Sequence, residues 1–519
     1  MDFFHSEKFR SLVEDLMCQH HVPGLAIAVV QNDKIASRGY GMASIEPPVP
    51  CSSDTLFDVA SCAKSLTAAS VALLIEDNEN FPEVQYDAIM SSLLPDDFLM
   101  PGVGYTENVT VEDILSHRTG MAAHNNSYMG AQASRPDDAR SITRNLRNLP
   151  VAAPLRTKYI YCNMMYTVAT HLVEVKTQQS FSDFLEERFF QPLDMKSTSL
   201  QAENARAKGL GDRIARGYHW YKDKSTYRAF QSPDCPEGQG AGSIVTSVND
   251  FAKWIQALMN CKSPINEQIY QGLIRMRSFV NPNARRLKPY SSPAVYGAGL
   301  EVHYYRGHMV VGHNGMVDGF GSRFFFLPGF NFGAVIVGNS TGAGPIGTIL
   351  ARDVMDEILQ VPGADRPRRQ KSKTPRSTTK GDASNPKHQF KDGGEKQRTV
   401  KENDSRAPNV RVGHLQPQTT PLDLYIGKYL HPGYHDMIVQ IRGDKLFIDA
   451  MDRSLGFTLT FEHKCEQTEY TAYLGDLLED QVDSFKARFV FEDGKAVKLG
   501  LDLEPVLREM IWFQKVEEA

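Results

Sequence analysis

Ser61 and Lys64 stand three residues apart in the stretch Asp54–Glu76, a spacing that puts two side chains on one face of a helix. A hydroxyl beside an amine can do nucleophilic catalysis, provided the amine is neutral enough to take the hydroxyl proton. Burial supplies that condition, because it disfavours the ammonium and draws its pKa down from about 10.4. The neighbouring residues predict burial. Ala63, Leu66, Ala69, Leu73 and Leu74 recur at helical spacing with little polar face, as in a helix enclosed by a core. A serine in the first turn also sits where unpaired N–H groups and the helix dipole favour negative charge. The tetrapeptide alone is weak, since Ser377–Lys380 and Ser384–Lys387 repeat it in polar sequence. The apolar setting is what singles out Ser61.

Two further stations carry chemistry. Tyr161-Cys-Asn163 is the only Tyr-x-Asn in the chain and precedes a helical stretch. A cation nearby favours phenolate, and an asparagine can both donate and accept in order to hold Ser61, Lys64 or a substrate. Gly312-His-Asn-Gly315 is expected to end one strand and begin another, with glycine allowing a substrate backbone to approach closely. Cys62 and Cys162 fill variable slots in these motifs. They read as small packing residues that would make the site sensitive to oxidation.

The elements that must position these residues follow in order. Phe3 to Gln19 reads as an amphipathic helix, and Gly24–Val30 with Ile35–Met42 as a hairpin turning at Asn32-Asp33. Leu56 to Ala60 is an extended approach to the Ser61 helix. Thr110 caps a short helix that Gly120 ends, and residues 122–150 are polar and irregular. A helix runs from the Tyr161 motif through Val175. Gly240-Ala-Gly-Ser243 is a bend before a capped helix. Strands are expected at Gly299–Tyr304, Met309–Gly312, Ser322–Leu327 and Phe332–Val337, and a helix at Ile346–Leu359. Helices flanking a late antiparallel sheet, with a helical insert, make an α+β fold. Between Asp365 and Arg406 thirteen Lys/Arg face six Asp/Glu, with Phe390 the one aromatic residue. Such a stretch buries too little to fold and reads as a solvated tether. Beyond Leu422 short strands return, with hairpins turning at Gly443 and at Asp493-Gly494, as in a small β-barrel or twisted sheet. The expected division is therefore 1–361, catalytic; 362–420, disordered basic linker; and 421–519, all-β.

With 519 residues, 41% of them hydrophobic, the chain can bury a large core. A net charge of −5 gives no basic bias towards nucleic acid. No apolar run approaches the roughly 20 residues of a membrane span, and no secretory signal is read at the N-terminus. The seven cysteines (18, 51, 62, 162, 235, 261, 465) are odd in number and lack metal-ligand spacing, so reduced thiols, no metal and no cofactor are expected in a cytoplasmic protein.

Ser61-x-x-Lys64, Tyr161-x-Asn163 and His313-x-Gly315, in that order, resemble the three motifs of the serine β-lactamase/penicillin-binding-protein superfamily, most nearly its class C β-lactamase, D-aminopeptidase and esterase-like branch. Val22-Pro-Gly-Leu25, Asp54-Thr-Leu-Phe57, Leu115-Ser-His-Arg-Thr-Gly120 and Gly240-Ala-Gly-Ser243 agree with it. The resemblance covers roughly residues 10–360; the C-terminal part resembles the lipocalin-like domain that follows in some relatives. It implies a β-lactamase/transpeptidase-like fold in which Ser61 attacks a carbonyl while Lys64 and Tyr161 share base and acid work in an unresolved order. Asn163, His313 and Gly315 would orient or bind substrate. The backbone N–H groups of Ser61 and Met316 would form the oxyanion hole. Lactamases usually place lysine where His313 stands. Histidine is only partly charged near neutrality, so an ester or amide other than a β-lactam antibiotic is expected. The partner is then a small-molecule substrate, with neither nucleic acid nor membrane.

Three rivals are weighed against a hydrolase. An acyltransferase of secondary metabolism would use the same site and a second acceptor. A binding protein would keep the fold without turnover. Gly338-Asn-Ser-Thr-Gly342 matches the nucleophile elbow of an α/β-hydrolase, but the next histidine after Ser340 is His388, inside the basic stretch, and regular βαβ alternation is lacking.

Overall fold

Leu25 to Val30 is an unbroken apolar run with every residue buried, which requires cover on both faces of its strand. In the computed structural model, which describes residues 1–231, 233–367, 417–476 and 483–516, that strand (Gly24–Gln31) lies third in a nine-stranded sheet. The order is Val49–Pro50, Lys34–Ser44, Gly24–Gln31, Phe332–Gly338, Phe320–Leu327, His308–Val317, Glu301–Tyr305, Val295–Tyr296 and Ser278–Phe279. Every neighbouring pair is antiparallel. The N-terminal hairpin thus joins the late strands through Leu25↔Gly338 to Gln31↔Phe332. Ala26, Ala28 and Val30 face one core, and Leu25, Ile27 and Val29 the other. The second core is covered by the helices Glu7–Gln19 and Ala343–Ile358. An all-antiparallel sheet disposes of the α/β-hydrolase reading, and Ser340 is a buried residue of the turn after Phe332–Gly338.

The first core holds the central helix, Lys64–Glu76, buried on every side from Lys64 to Leu74. It packs on the helices Met164–Thr177 and Glu267–Ile274. The expected N-terminal helix is interrupted at Ser6, whose hydroxyl accepts from the Phe9 N–H and starts a new helix at Glu7. The helix capped by Thr110 stops at Leu115 rather than at Gly120. His313–Gly315 does not separate two strands; it lies inside the continuous strand His308–Val317.

Eight strands from Gly427–His431 to Ile511–Val516 close into a barrel. Its interior is filled: Tyr425, Tyr429, Tyr470 and Phe489 form a buried aromatic cluster with edge-to-face contacts. The body of the expected linker, residues 368–416, lies outside the described residues. At its near end, Gly363–Asp365 forms a short turn, and the Asp365 carbonyl accepts from Arg306. No helix among the described residues is long and apolar enough to cross a membrane.

Candidate active site

The stretch into Ser61 is shaped by three polar contacts. The Val59 N–H donates to the Ile244 carbonyl, Ser322 Oγ donates to the Val59 carbonyl at 2.6 Å, and Asp58 Oδ1 accepts from the Ala60 N–H at 2.7 Å. Burial raises the Asp58 carboxyl to about 6. Together they hold Ala60 at φ +47, a left-handed conformation costing on the order of 1–3 kcal/mol for a residue with a Cβ. Ser61 therefore sits in a 3-10 turn, Ala60–Ala63, ahead of the α-helix and not inside it. The tighter turn eclipses positions i and i+3, and Lys64 Nζ lies 3.0 Å from Ser61 Oγ.

Lys64 has two other partners. Nζ donates to Asn163 Oδ1 at 2.8 Å and to the Ala241 carbonyl at 2.7 Å. Ala241 can reach it because the preceding Gly240, at φ +78, crosses the two helices where a Cβ would overlap Thr170 and crowd the Tyr166 carbonyl. Lys64 is fully buried, and burial pushes its pKa down to about 7. Both fixed partners are carbonyls, which only accept. A neutral amine spends its two N–H donors on them and turns its lone pair to the Ser61 hydroxyl.

Tyr161 Oη lies 2.8 Å from Ser61 Oγ, and Lys64 Nζ sits 4.9 Å from its ring centroid. Its phenol is held well above the ordinary value by burial, against the smaller pull of the Ser61 hydrogen bond. The expectation of an easily lost proton is thus reversed: low dielectric outweighs the neighbouring amine, which is only partly charged near neutrality.

His117 positions this tyrosine. Its carbonyl accepts from the Ile160 N–H at 2.9 Å, and its Nδ1 accepts from the Cys162 N–H at 3.2 Å, so one residue clamps the backbone on both sides of Tyr161. Its ring lies 4.2 Å from the Tyr161 ring and also meets Tyr159, Tyr166 and Tyr296. Burial keeps it neutral, with the coulombic effect of Lys64 adding to it.

The third station is a neutral group. His313 Nδ1 donates to the Asn314 carbonyl at 2.6 Å, which leaves Nε2 to accept from Tyr296 Oη at 2.8 Å. Burial first, then Lys64, draws the imidazole down to about 3. The partly charged histidine expected from its ordinary pKa is replaced by an uncharged one. Gly315 packs on Val59 and Ala60, and Met316 follows it on the same strand.

The structure therefore brings Ser61, Lys64, Tyr161 and Asn163 into direct contact, with His313, Gly315 and Met316 along the adjoining strand. It adds the Ala241 carbonyl, His117, Tyr296, Ser322 and Asn125, whose Oδ1 accepts from Asn163 Nδ2 at 3.3 Å. Cys62 and Cys162 are buried, and burial raises both thiols to about 12. Burial and a raised pKa both oppose thiolate formation, which argues against the expected sensitivity to oxidation.

Comparison with known proteins gives a match to the beta-lactamase family over residues 9–356 and to a domain family of unknown function over residues 414–515. The chain is 31% identical over 458 residues to the unguisins hydrolase of Aspergillus campestris, covering 88% of this chain and 82% of that protein. Among solved structures, the penicillin-binding protein homologue of Pyrococcus abyssi aligns over 98% of this chain and 99% of its own, with a TM-score of 0.59 and 16% identity. The D-amino acid amidase of Ochrobactrum anthropi aligns over 68% and 99%, with a TM-score of 0.52 and 20% identity.

Proposed function

This chain belongs to the beta-lactamase family, and from that membership we propose that it is a serine hydrolase acting through an acyl-enzyme on an ester or amide of a small molecule. One observation carries the reading. Ser61 Oγ is contacted by a buried amine whose other hydrogen-bonding positions are taken by two carbonyls, and by a phenol whose proton is firmly held. Lys64 is then the first base. It takes the Ser61 proton as Oγ bonds to the substrate carbonyl carbon, while the backbone N–H groups of Ser61 and Met316 receive the oxyanion. The bond to the leaving group breaks, and the proton held by Lys64 passes to the departing nitrogen or oxygen, with Tyr161 as the relay beside Ser61. Water adds to the ester by the same path in reverse, returning the proton to Ser61 and releasing the acid.

The uncharged His313 supports a substrate without a carboxylate beside the scissile bond. The Aspergillus campestris relative, named a hydrolase, supports water as the acceptor. The test is intact-protein mass spectrometry after exposure to a fluorophosphonate and to activated aryl esters. A single adduct in the wild type, absent in Ser61→Ala and retained in Ser340→Ala, is expected. Its acyl form should decay at a rate unchanged by added amines or alcohols. Decay that accelerates with an added amine would move the reading to acyl transfer, and an adduct that survives Ser61→Ala would end it.

A further inference from the structure

We propose that Tyr434 and Arg453 of the C-terminal barrel are positioning residues for the active site, acting through Asn125 and Asn163 on Lys64. The inference rests on the serine-hydrolase reading above and extends it to the barrel.

The path starts at the amide of Asn163. Its oxygen must face Lys64, because a flipped amide would set two donors against each other. What fixes the orientation is the other end of the group, Nδ2, which donates to Asn125 Oδ1. Asn125 opens a short turn, Asn125–Ser127, entered through His124 at φ +47 and closed by the Ser127 N–H and hydroxyl on the His124 carbonyl at 2.9 and 2.7 Å. Residues 124–127 contribute no large apolar side chain, so polar tethers hold the turn.

The barrel supplies tethers on both sides of it. His124 Nε2 donates to the Pro150 carbonyl at 2.9 Å, which makes Nδ1 the acceptor, and Nδ1 receives the Tyr434 hydroxyl at 2.8 Å. Four residues later the Ser454 N–H donates to the Tyr128 carbonyl at 3.0 Å, and the Gly130 N–H to the Asp452 carbonyl at 2.9 Å. Between these bonds lies Arg453, only 3% exposed. Its Nη2 donates to the Tyr434 and Asp436 carbonyls at 2.9 and 2.7 Å, and its Nη1 reaches Met129 Sδ at 2.7 Å. One guanidinium thus joins the barrel turn that carries Tyr434 to the segment that carries Asn125. Both ends of 124–130 are anchored on the barrel, and the residue touching Asn163 lies between the anchors.

The test uses the full chain and the rates at which a fluorophosphonate phosphonylates Ser61 and an aryl ester acylates it, normalised to the titratable sites so that misfolded protein is not counted. Tyr434→Phe removes one oxygen and should lower the acylation rate and kcat by about tenfold, with KM within about twofold of wild type. Arg453→Met keeps the carbon stem and should do the same. Asn125→Ala should lose at least as much, and Tyr434→Phe added to it should cost nothing more, because both act through one path. Ile438→Ser, on the exposed outer wall of the barrel, should leave the rates unchanged. Wild-type rates in Tyr434→Phe, or losses that add in full in the double variant, would overturn the inference while leaving the labelled Ser61 and the hydrolase reading standing. A wild type that is not labelled at Ser61 would remove both. If Arg453→Met yields no folded protein, Tyr434→Phe decides alone.

Discussion

A Cβ placed on Gly315 would overlap the carbonyl oxygen of Val59, two residues ahead of Ser61, and the hydroxyl of Ser322 that holds this carbonyl. The third motif is therefore in contact with the approach to the nucleophile, with no room for the smallest side chain. Gly315→Ala should push the strand away from the turn and lower kcat/KM by about a hundredfold. The overlap is with backbone, so thermal unfolding should also shift downwards. Steady-state kinetics and a melting curve check both.

The pH dependence follows from Lys64. Its neutral form is the base and its pKa is drawn down to about 7, so kcat/KM should rise with pH through an acid limb near 7. Lys64→Arg, which stays protonated, should abolish the reaction at every pH. The linkage has the matching sign. Between about 7 and the ordinary amine value the unfolded chain carries the proton and the folded chain does not, so this group's contribution to stability increases with pH across that window. Lys64→Met should accordingly raise the melting temperature at pH 6 more than at pH 10, as measured by scanning calorimetry.

His117 meets the reaction chiefly through Tyr161, whose backbone it clamps on both sides. His117→Ala should lower kcat by about thirtyfold with KM little changed. His117 stands at φ +57, so His117→Asn, which tolerates that conformation and can offer an acceptor to the Cys162 N–H, should recover part of the loss. An asparagine variant no better than alanine would assign the histidine to packing instead.

Because His313 is uncharged, a carboxylate next to the scissile bond should bring no advantage, and an acid and its methyl ester should react with similar kcat/KM. His313→Lys should shift that ratio towards the acid by about tenfold, in the direction of a fixed cation paired with a carboxylate.

The buried thiols make a negative prediction. Iodoacetamide at pH 8 should modify the exposed Cys18 while leaving Cys62, Cys162 and the activity intact, as peptide mapping beside an activity assay would show.

Much of this site was legible because its signals are local. Ser61 and Lys64 need only one helical turn to meet, and the apolar run after them announces burial. The hairpins at Asn32-Asp33, Gly443 and Asp493-Gly494 carry their turn chemistry in the sequence. The Ala241 carbonyl was not legible, because a backbone acceptor leaves no residue type to read. Asn125 was hidden in a polar stretch that reads as irregular until the barrel is set against it. The strained Ala60 carries no mark, since alanine is not a residue that seeks a left-handed conformation. The Tyr161 proton is illegible for another reason: residue types reveal the amine nearby, while the depth of burial that outweighs it exists only in three dimensions.

The pairing of Gly24–Gln31 with Phe332–Gly338 sets an order on the making of the protein. Ser61, Lys64, Tyr161 and Asn163 are all synthesised before the strands that close the sheet around them, and the early hairpin must wait roughly 300 residues for its partner. Contacts so distant along the chain form slowly, and until they do the first strand is an apolar edge open to other chains. A nascent chain halted before Phe332 would hold the whole reactive quartet without the strands that enclose it, so on the hydrolase reading activity during translation should follow the arrival of the last strands rather than of the residues that do the chemistry.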